Sequence, residues 1–163
     1  MPRSRVFLAS LLALIITIPV RAHAINSAVQ ASQTSLSAED FKLASYSGKV
    51  VLVDFWASWC GSCKKSLPWL NALQKKYGKD GFQVVTINLD HQRENAERAL
   101  GEAGADLFVV YDEKGTMPEK FGVTAMPSSY LIDKNGKIVS VTHGFSAEEA
   151  SALIGQIERL LAG

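Results

Sequence analysis

Hydrophobic and polar residues alternate in blocks along the middle of the chain, and these blocks predict a strand, a helix and a second strand. Residues 50–56 form an apolar run that is interrupted by a single acid, which predicts a buried strand. Leucines and a tyrosine then recur at helical spacing over residues 63–77, ahead of Gly78. A second apolar run at 82–89 predicts the next strand. Two strands joined by a helix of this length form a βαβ unit with a right-handed crossover.

The C-terminal half carries the same kind of pattern and completes an α/β domain. It predicts helix 92–103, strand 107–111, strand 128–133, strand 137–142 and a last helix that begins after Ser146. Asn135 and Gly136 predict a tight hairpin between the last two strands. Ser146, followed by Glu149 three residues later, has the pattern of a capping box. The order of elements predicts a mixed central sheet with helices on both faces.

The N-terminal segment has a different pattern. Residues 1–24 begin with two arginines, continue with an apolar run at 6–18 and end in Ala-His-Ala, which predicts a secretory signal peptide that is cleaved after residue 24. A retained membrane anchor is the alternative, although the run is shorter than the ~20 residues that span a bilayer. Residues 25–37, rich in Ser, Ala, Gln and Asn, predict a flexible linker to a domain at 38–163. We therefore expect the protein in the periplasm or another exported compartment, not membrane-spanning once the signal is cleaved.

Composition and charge exclude some classes of function. The chain is 47% hydrophobic, which is enough for a sizeable core. Its 17 Lys and Arg stand against 16 Asp and Glu. The predicted signal peptide contains three of the arginines and no acid, so cleavage leaves 14 basic and 16 acidic residues. Nothing in this balance indicates a nucleic-acid partner.

Both cysteines of the chain lie in one motif, Cys60-Gly61-Ser62-Cys63. A disulfide across two residues closes almost no loop, so it would stabilise the fold very little, and a redox-active dithiol is the favoured interpretation. Cys60 lies where the predicted strand gives way to the helix, and a helix start lowers the pKa of a thiol. Half of a zinc site remains an alternative, but the sequence has no second C-x-x-C and no H-x-x-x-H.

Two segments carry a resemblance to a known family. Residues 51–64, VLVDFWASWCGSCK, resemble the active-site strand of the thioredoxin family, and residues 125–128, AMPS, resemble its cis-proline loop. The resemblance covers residues 41–163 and is closest to the exported, TlpA-like branch, which includes reductases that serve cytochrome c maturation. It implies a thioredoxin fold, with residues 93–111 as the central helix–strand insertion of that branch.

The resemblance also implies the roles of individual residues. Cys60 would be the nucleophile and Cys63 the resolving thiol, with the two forming a disulfide when oxidised. Asp54 matches the family's buried carboxylate, which would take the proton of Cys63. The residues implied in substrate binding are Trp59, Gly61, Ser62, Met126 and a cis Pro127, with the backbone of Met126 offered to an extended substrate.

Three departures from the family pattern stand out. Ser62 replaces the proline that classical thioredoxin has between its cysteines, and Thr86 replaces the lysine beside the buried acid. The N-terminal hairpin of the exported branch is shortened, because only residues 41–48 precede the active-site strand.

The resulting functional hypothesis is an exported thiol–disulfide oxidoreductase, and specifically a reductase of protein disulfides. It would draw electrons from a membrane thiol donor and pass them to protein substrates, and it would need no cofactor. An oxidant or isomerase that uses the same dithiol is one alternative. A module that binds Cu(I) or Zn(II) through its thiolates is the other.

Overall fold

Six strands and four helices make up residues 35–163, the part of the chain that our computed structural model describes. The strands are β1 (Ser35–Ser37), β2 (Val50–Trp56), β3 (Phe82–Asn88), β4 (Val109–Tyr111), β5 (Ser128–Ile132) and β6 (Ile138–His143). The helices are α1 (Gly61–Tyr77), α2 (Arg93–Ala103), α3 (Met117–Phe121) and α4 (Ala147–Ala162). Short 3-10 turns occupy Leu43–Tyr46 and Gly78–Asp80. The predicted signal peptide, 1–24, and residues 25–34 of the predicted linker lie outside the described residues.

The strands form one mixed sheet in the order β1-β4-β3-β2-β5-β6. Strands β1, β4, β3 and β2 run parallel to one another, while β5 is antiparallel to β2 and β6 is antiparallel to β5. Strand β2 lies inside the sheet, and all seven of its residues are buried. This burial explains why its sequence is a nearly unbroken apolar run.

Side chains of β2 alternate between two hydrophobic layers. Leu52 and Trp56 pack in one layer with the inner faces of α1, α2 and α4. Val53 and Phe55 pack in the other layer, which includes residues of α3 and of the 43–46 turn. Because successive side chains of a strand point to opposite faces, Asp54 lies on the α1 side. The predicted α/β architecture, with a mixed sheet and helices on both faces, is confirmed.

Two elements were absent from the sequence prediction. Residues 35–37, predicted as the end of the linker, form β1 and pair in parallel with β4 at the edge of the sheet. Strand β1 forms only through this pairing with a distant strand, so no local sequence pattern predicts it. Helix α3 begins where Asp112 accepts hydrogen bonds from the backbone N–H groups of Thr116 and Met117, at 2.9 and 2.7 Å. No helix within residues 35–163 is long and apolar enough to cross a membrane.

Candidate active site

The dithiol lies at the junction of β2 and α1. Cys60 is the N-cap residue of α1, and its Sγ accepts a hydrogen bond from the Cys63 N–H at 3.2 Å. The two cysteines are joined as a disulfide, as the resemblance implied. Cys60 is 8% exposed whereas Cys63 is completely buried. Cys60 is therefore the half of the pair that a substrate can reach, and its sulfur sits at the positive end of a helix.

A buried polar cluster fixes the loop that leads to Cys60. Asp90 accepts hydrogen bonds from the Ser58 N–H at 2.9 Å and from the Ser58 hydroxyl at 2.7 Å. The Asn88 side-chain amide donates a third, at 2.7 Å. This cluster ties the loop to the end of β3 and leaves Trp59 71% exposed beside the dithiol. This cluster was not predicted from the sequence, although the polar Asn-x-Asp at the end of an apolar strand is a signal for it.

The cis-proline loop lies next to the dithiol because of the strand register. Strand β5 pairs with β2 so that Ser128 is opposite Phe55, which places Pro127 level with the end of β2. The Met126–Pro127 peptide bond is cis, as predicted. Met126 is partly buried and packs against the layer that contains both cysteines.

Hydrogen bonds from β5 and β6 hold this loop in place. The Ser128 hydroxyl donates to the carbonyl of Ala125 at 2.7 Å and lies 2.9 Å from Nδ1 of His143. The Gly144 N–H donates to the carbonyl of Pro127 at 2.8 Å. The contact made by His143 was not predicted, since it joins two positions fifteen residues apart across a hairpin.

Asp54 is a buried carboxyl group on the face of the sheet that α1 covers. It is 1% exposed, and the Ser129 hydroxyl donates a hydrogen bond to its Oδ2 at 2.5 Å. Its Oδ1 has no hydrogen-bond partner within residues 35–163. Burial raises the pKa of Asp54 to about 7, although the Ser129 hydrogen bond lowers it in part. Thr86 lies beside Asp54 in the register, but its hydroxyl donates to the carbonyl of Phe108 instead.

The structure gathers the predicted site residues at one end of the sheet. Around the carboxyl end of β2 lie Trp59, Cys60, Gly61, Ser62, Cys63, Met126 and Pro127, while Asp54 lies two residues before that end. Gly61 and Ser62 are exposed at the first turn of α1, and the Ser62 hydroxyl is 3.5 Å from Sγ of Cys60. No group of three or more His, Cys, Asp or Glu side chains suited to a metal ion occurs in the described part of the chain.

A separate cavity of about 390 Å³ lies at the opposite end of the sheet, lined by residues that include Tyr46, Val51 and Asp133. It is remote from the dithiol and contributes nothing to the chemistry of the two sulfurs.

A strand, a C-x-x-C at the start of a helix, and a neighbouring cis-proline loop define the thioredoxin-fold thiol–disulfide oxidoreductases, and this protein is one of them. More particularly, residues 24–155 match the model of the Redoxin family, and the chain belongs to that family.

Named relatives agree with this class. The chain is 30% identical over 116 residues to a thiol-disulfide oxidoreductase ResA from Geobacillus thermodenitrificans, a match that covers 71% of this chain and 67% of the relative. A Chlorobium tepidum structure described as a candidate thiol:disulfide interchange protein DsbE is 45% identical, with a TM-score of 0.71 and coverage of 74% of this chain and 86% of that one. The exposed lipoprotein thioredoxin of Streptococcus pneumoniae is 32% identical, with a TM-score of 0.60 and coverage of 74% and 91%.

Proposed function

We propose that the protein is an exported reductase of protein disulfides and that Cys60 is its nucleophile. The observation that carries the proposal is the asymmetry of the dithiol. Cys60 is partly exposed to solvent at the start of α1, while Cys63 is completely buried behind it. The buried carboxyl group of Asp54 lies on the face of the sheet that α1 covers. A helix start favours the thiolate, which is the attacking species in disulfide exchange.

The reaction proceeds in two exchanges from the reduced enzyme. The Cys60 thiolate attacks one sulfur of the substrate disulfide, which forms a mixed disulfide and expels the other substrate sulfur as a thiolate that takes up a proton. Cys63 then loses its proton and attacks Sγ of Cys60, which expels the second substrate sulfur. The substrate gains two electrons and two protons, and the enzyme is left with the Cys60–Cys63 disulfide. A thiol donor must reduce it again.

Asp54 is the proton acceptor for Cys63 in this proposal. Its Oδ2 is held by Ser129, so the unpaired Oδ1 is the oxygen available for a proton. A pKa of about 7 suits an acid–base group at neutral pH. Asp54→Asn should therefore slow release of the mixed disulfide far more than its formation, as resolved by stopped-flow reduction of a peptide disulfide. Equal slowing of both steps would assign Asp54 a structural role only.

A reductase and an oxidant of this fold differ in how stable the reduced dithiol is relative to the disulfide. Reductants of this fold have reduction potentials of about −270 mV, and strong oxidants have potentials of about −120 mV. We expect the reduction potential, measured by equilibration with glutathione or dithiothreitol, to lie near the first value. A potential near the second would make the protein an oxidant that uses the same residues.

The exported location rests on the N-terminal segment and on the relatives. Residues 1–24 have the layout of a secretory signal, and one relative is itself an exposed lipoprotein thioredoxin. A reductase in an oxidising compartment needs continual re-reduction, which favours a membrane thiol donor. The resemblance to the TlpA-like branch points to apocytochrome c among the substrates.

Trapping identifies the protein substrate of Cys60. In a Cys63→Ala variant, Cys60 should hold its natural substrate as a mixed disulfide, which mass spectrometry of the non-reduced complex would identify. Recovery of proteins with reducible disulfides, apocytochrome c among them, is the expected result. The absence of any Cys60-linked partner, together with no reduction of peptide disulfides, would contradict the proposed function.

A further inference from the structure

A polar cavity of about 210 Å³ lies beside the dithiol and takes no part in the proposed exchange of the two sulfurs. It is lined by Ser58, Lys64, Asn95, Arg98, Ala99 and Glu102. One wall thus comes from the segments that flank the two cysteines, and the other comes from helix α2. Any protein that docks on Cys60 therefore meets this cavity at the same time.

The side chains that line the cavity carry more positive than negative charge, and the Asp90 carboxyl group behind Ser58 is buried and already accepts three hydrogen bonds. Lys64 and Arg98 supply two cations, whereas Glu102 supplies one anion. Within residues 35–163 neither cation forms an ion pair, and the one side-chain hydrogen bond of Arg98 goes to the neutral amide of Asn95. A guanidinium offers several donors in a planar fork that matches a carboxylate, so this arrangement can accept one further anionic group.

The strand order places this cavity across the dithiol from the cis-proline loop. Strand β2, which leads to Cys60, has β5 and Pro127 on one side and β3, followed by α2, on the other. A substrate segment that lay along Met126 and extended past Cys60 would therefore reach the α2 side of the dithiol. An extended chain advances about 3.3 Å per residue, so residues a few positions from the substrate cysteine reach the cavity.

We infer that the cavity is a specificity site for an acidic side chain of the protein substrate, located within a few residues of its reactive cysteine. The inference rests on the proposed function, since it assumes a polypeptide disulfide at Cys60. Lys64 and Arg98 attract the substrate carboxylate and hold it at the rim of the site. Electrostatic pairs of this kind mainly increase the rate of productive encounter and select among partners.

The test compares disulfide peptides that differ at one position. Two peptides carry Glu or Gln three residues from the reactive cysteine, on the side that leads away from the cis-proline loop. We expect kcat/KM to be about two- to fivefold higher for the Glu peptide at low salt, as befits an exposed ion pair. The preference should disappear in about 1 M salt, where the screening length falls to about 3 Å.

Variants locate the effect. Arg98→Gln should lower kcat/KM for the Glu peptide toward that for the Gln peptide, because it removes one of the two cations that attract the carboxylate. Arg159→Gln is the matched control, because Arg159 is an exposed arginine on α4 outside this cavity, and it should retain the full preference. Equal kcat/KM for the two peptides in the wild type, or a preference that Arg98→Gln leaves undiminished, would overturn the inference while the reductase function stands. If neither peptide is reduced, the proposed function fails and this inference fails with it.

Discussion

The buried carboxyl group of Asp54 should make the oxidised protein lose stability as the pH rises toward neutrality. Its pKa is raised from 3.8 to about 7 in the folded protein, chiefly because burial disfavours the charged form. The unfolded chain therefore releases this proton near pH 4, whereas the folded protein keeps it until about pH 7. The stability that the neutral group provides is complete below pH 4 and is lost as the pH passes through 7.

The size of this loss follows from the displacement of the pKa. The pKa of Asp54 rises from 3.8 to about 7, and a change of one in a pKa corresponds to about 1.36 kcal/mol. The loss of unfolding free energy is therefore about 4 kcal/mol, which is a large share of the stability of a domain this size. Asp54→Asn removes the titrating group while it keeps the shape and an oxygen that can accept the Ser129 hydrogen bond. We therefore expect the decline between about pH 4 and 7 to be present in the wild type and absent in Asp54→Asn.

The assay is denaturant unfolding of the oxidised protein at a series of pH values, with the free energy of unfolding obtained from midpoint and slope. Working with the disulfide keeps the cysteines from titrating. Asp112→Asn serves as a control, because Asp112 is a buried carboxylate that accepts three hydrogen bonds from Thr116 and Met117, and this variant should retain the decline. If wild type and Asp54→Asn have parallel stability curves, the reasoning about Asp54 is refuted.

Three further predictions concern the groups around the dithiol. Ser129→Ala removes the hydrogen bond to Asp54. Because hydrogen bonds to charged groups contribute about 1.5–3 kcal/mol, the pH dependence of mixed-disulfide release should move upward by about one to two pH units. An unmoved pH profile would show that Ser129 does not act through Asp54. In the reduced protein, brief alkylation at neutral pH should label Cys60 before Cys63, as mass spectrometry would show, and preferential labelling of Cys63 would reverse their assignment. Asp90→Ala leaves three hydrogen-bond donors at the active-site loop without their acceptor, so the free energy of unfolding measured in urea should fall by about 2–4 kcal/mol. A change below about 0.5 kcal/mol would mean that the cluster contributes little to stability.

The local pattern of the sequence was sufficient for the elements that build the site. Strand β2 is encoded by a short, nearly continuous apolar run and helix α1 by a helical periodicity, and the position of the dithiol between them follows directly from their order. The start of α4 is indicated by Ser146, whose hydroxyl accepts a hydrogen bond from the Glu149 N–H in the structure. Such signals depend on neighbours in the chain, so they can be recognised without the fold.

Only the tertiary structure decided which distant groups meet. Ser129 reaches Asp54 across 75 residues of chain because β5 pairs with β2 in one particular register. The same sheet brings Asp90 under the loop before Cys60 and sets Lys64 beside Arg98 of α2. Strand β1 likewise exists only through its pairing with β4. Burial, and with it the raised pKa of Asp54, is a property of this packing, because a carboxyl group loses its water only when the rest of the chain has closed around it.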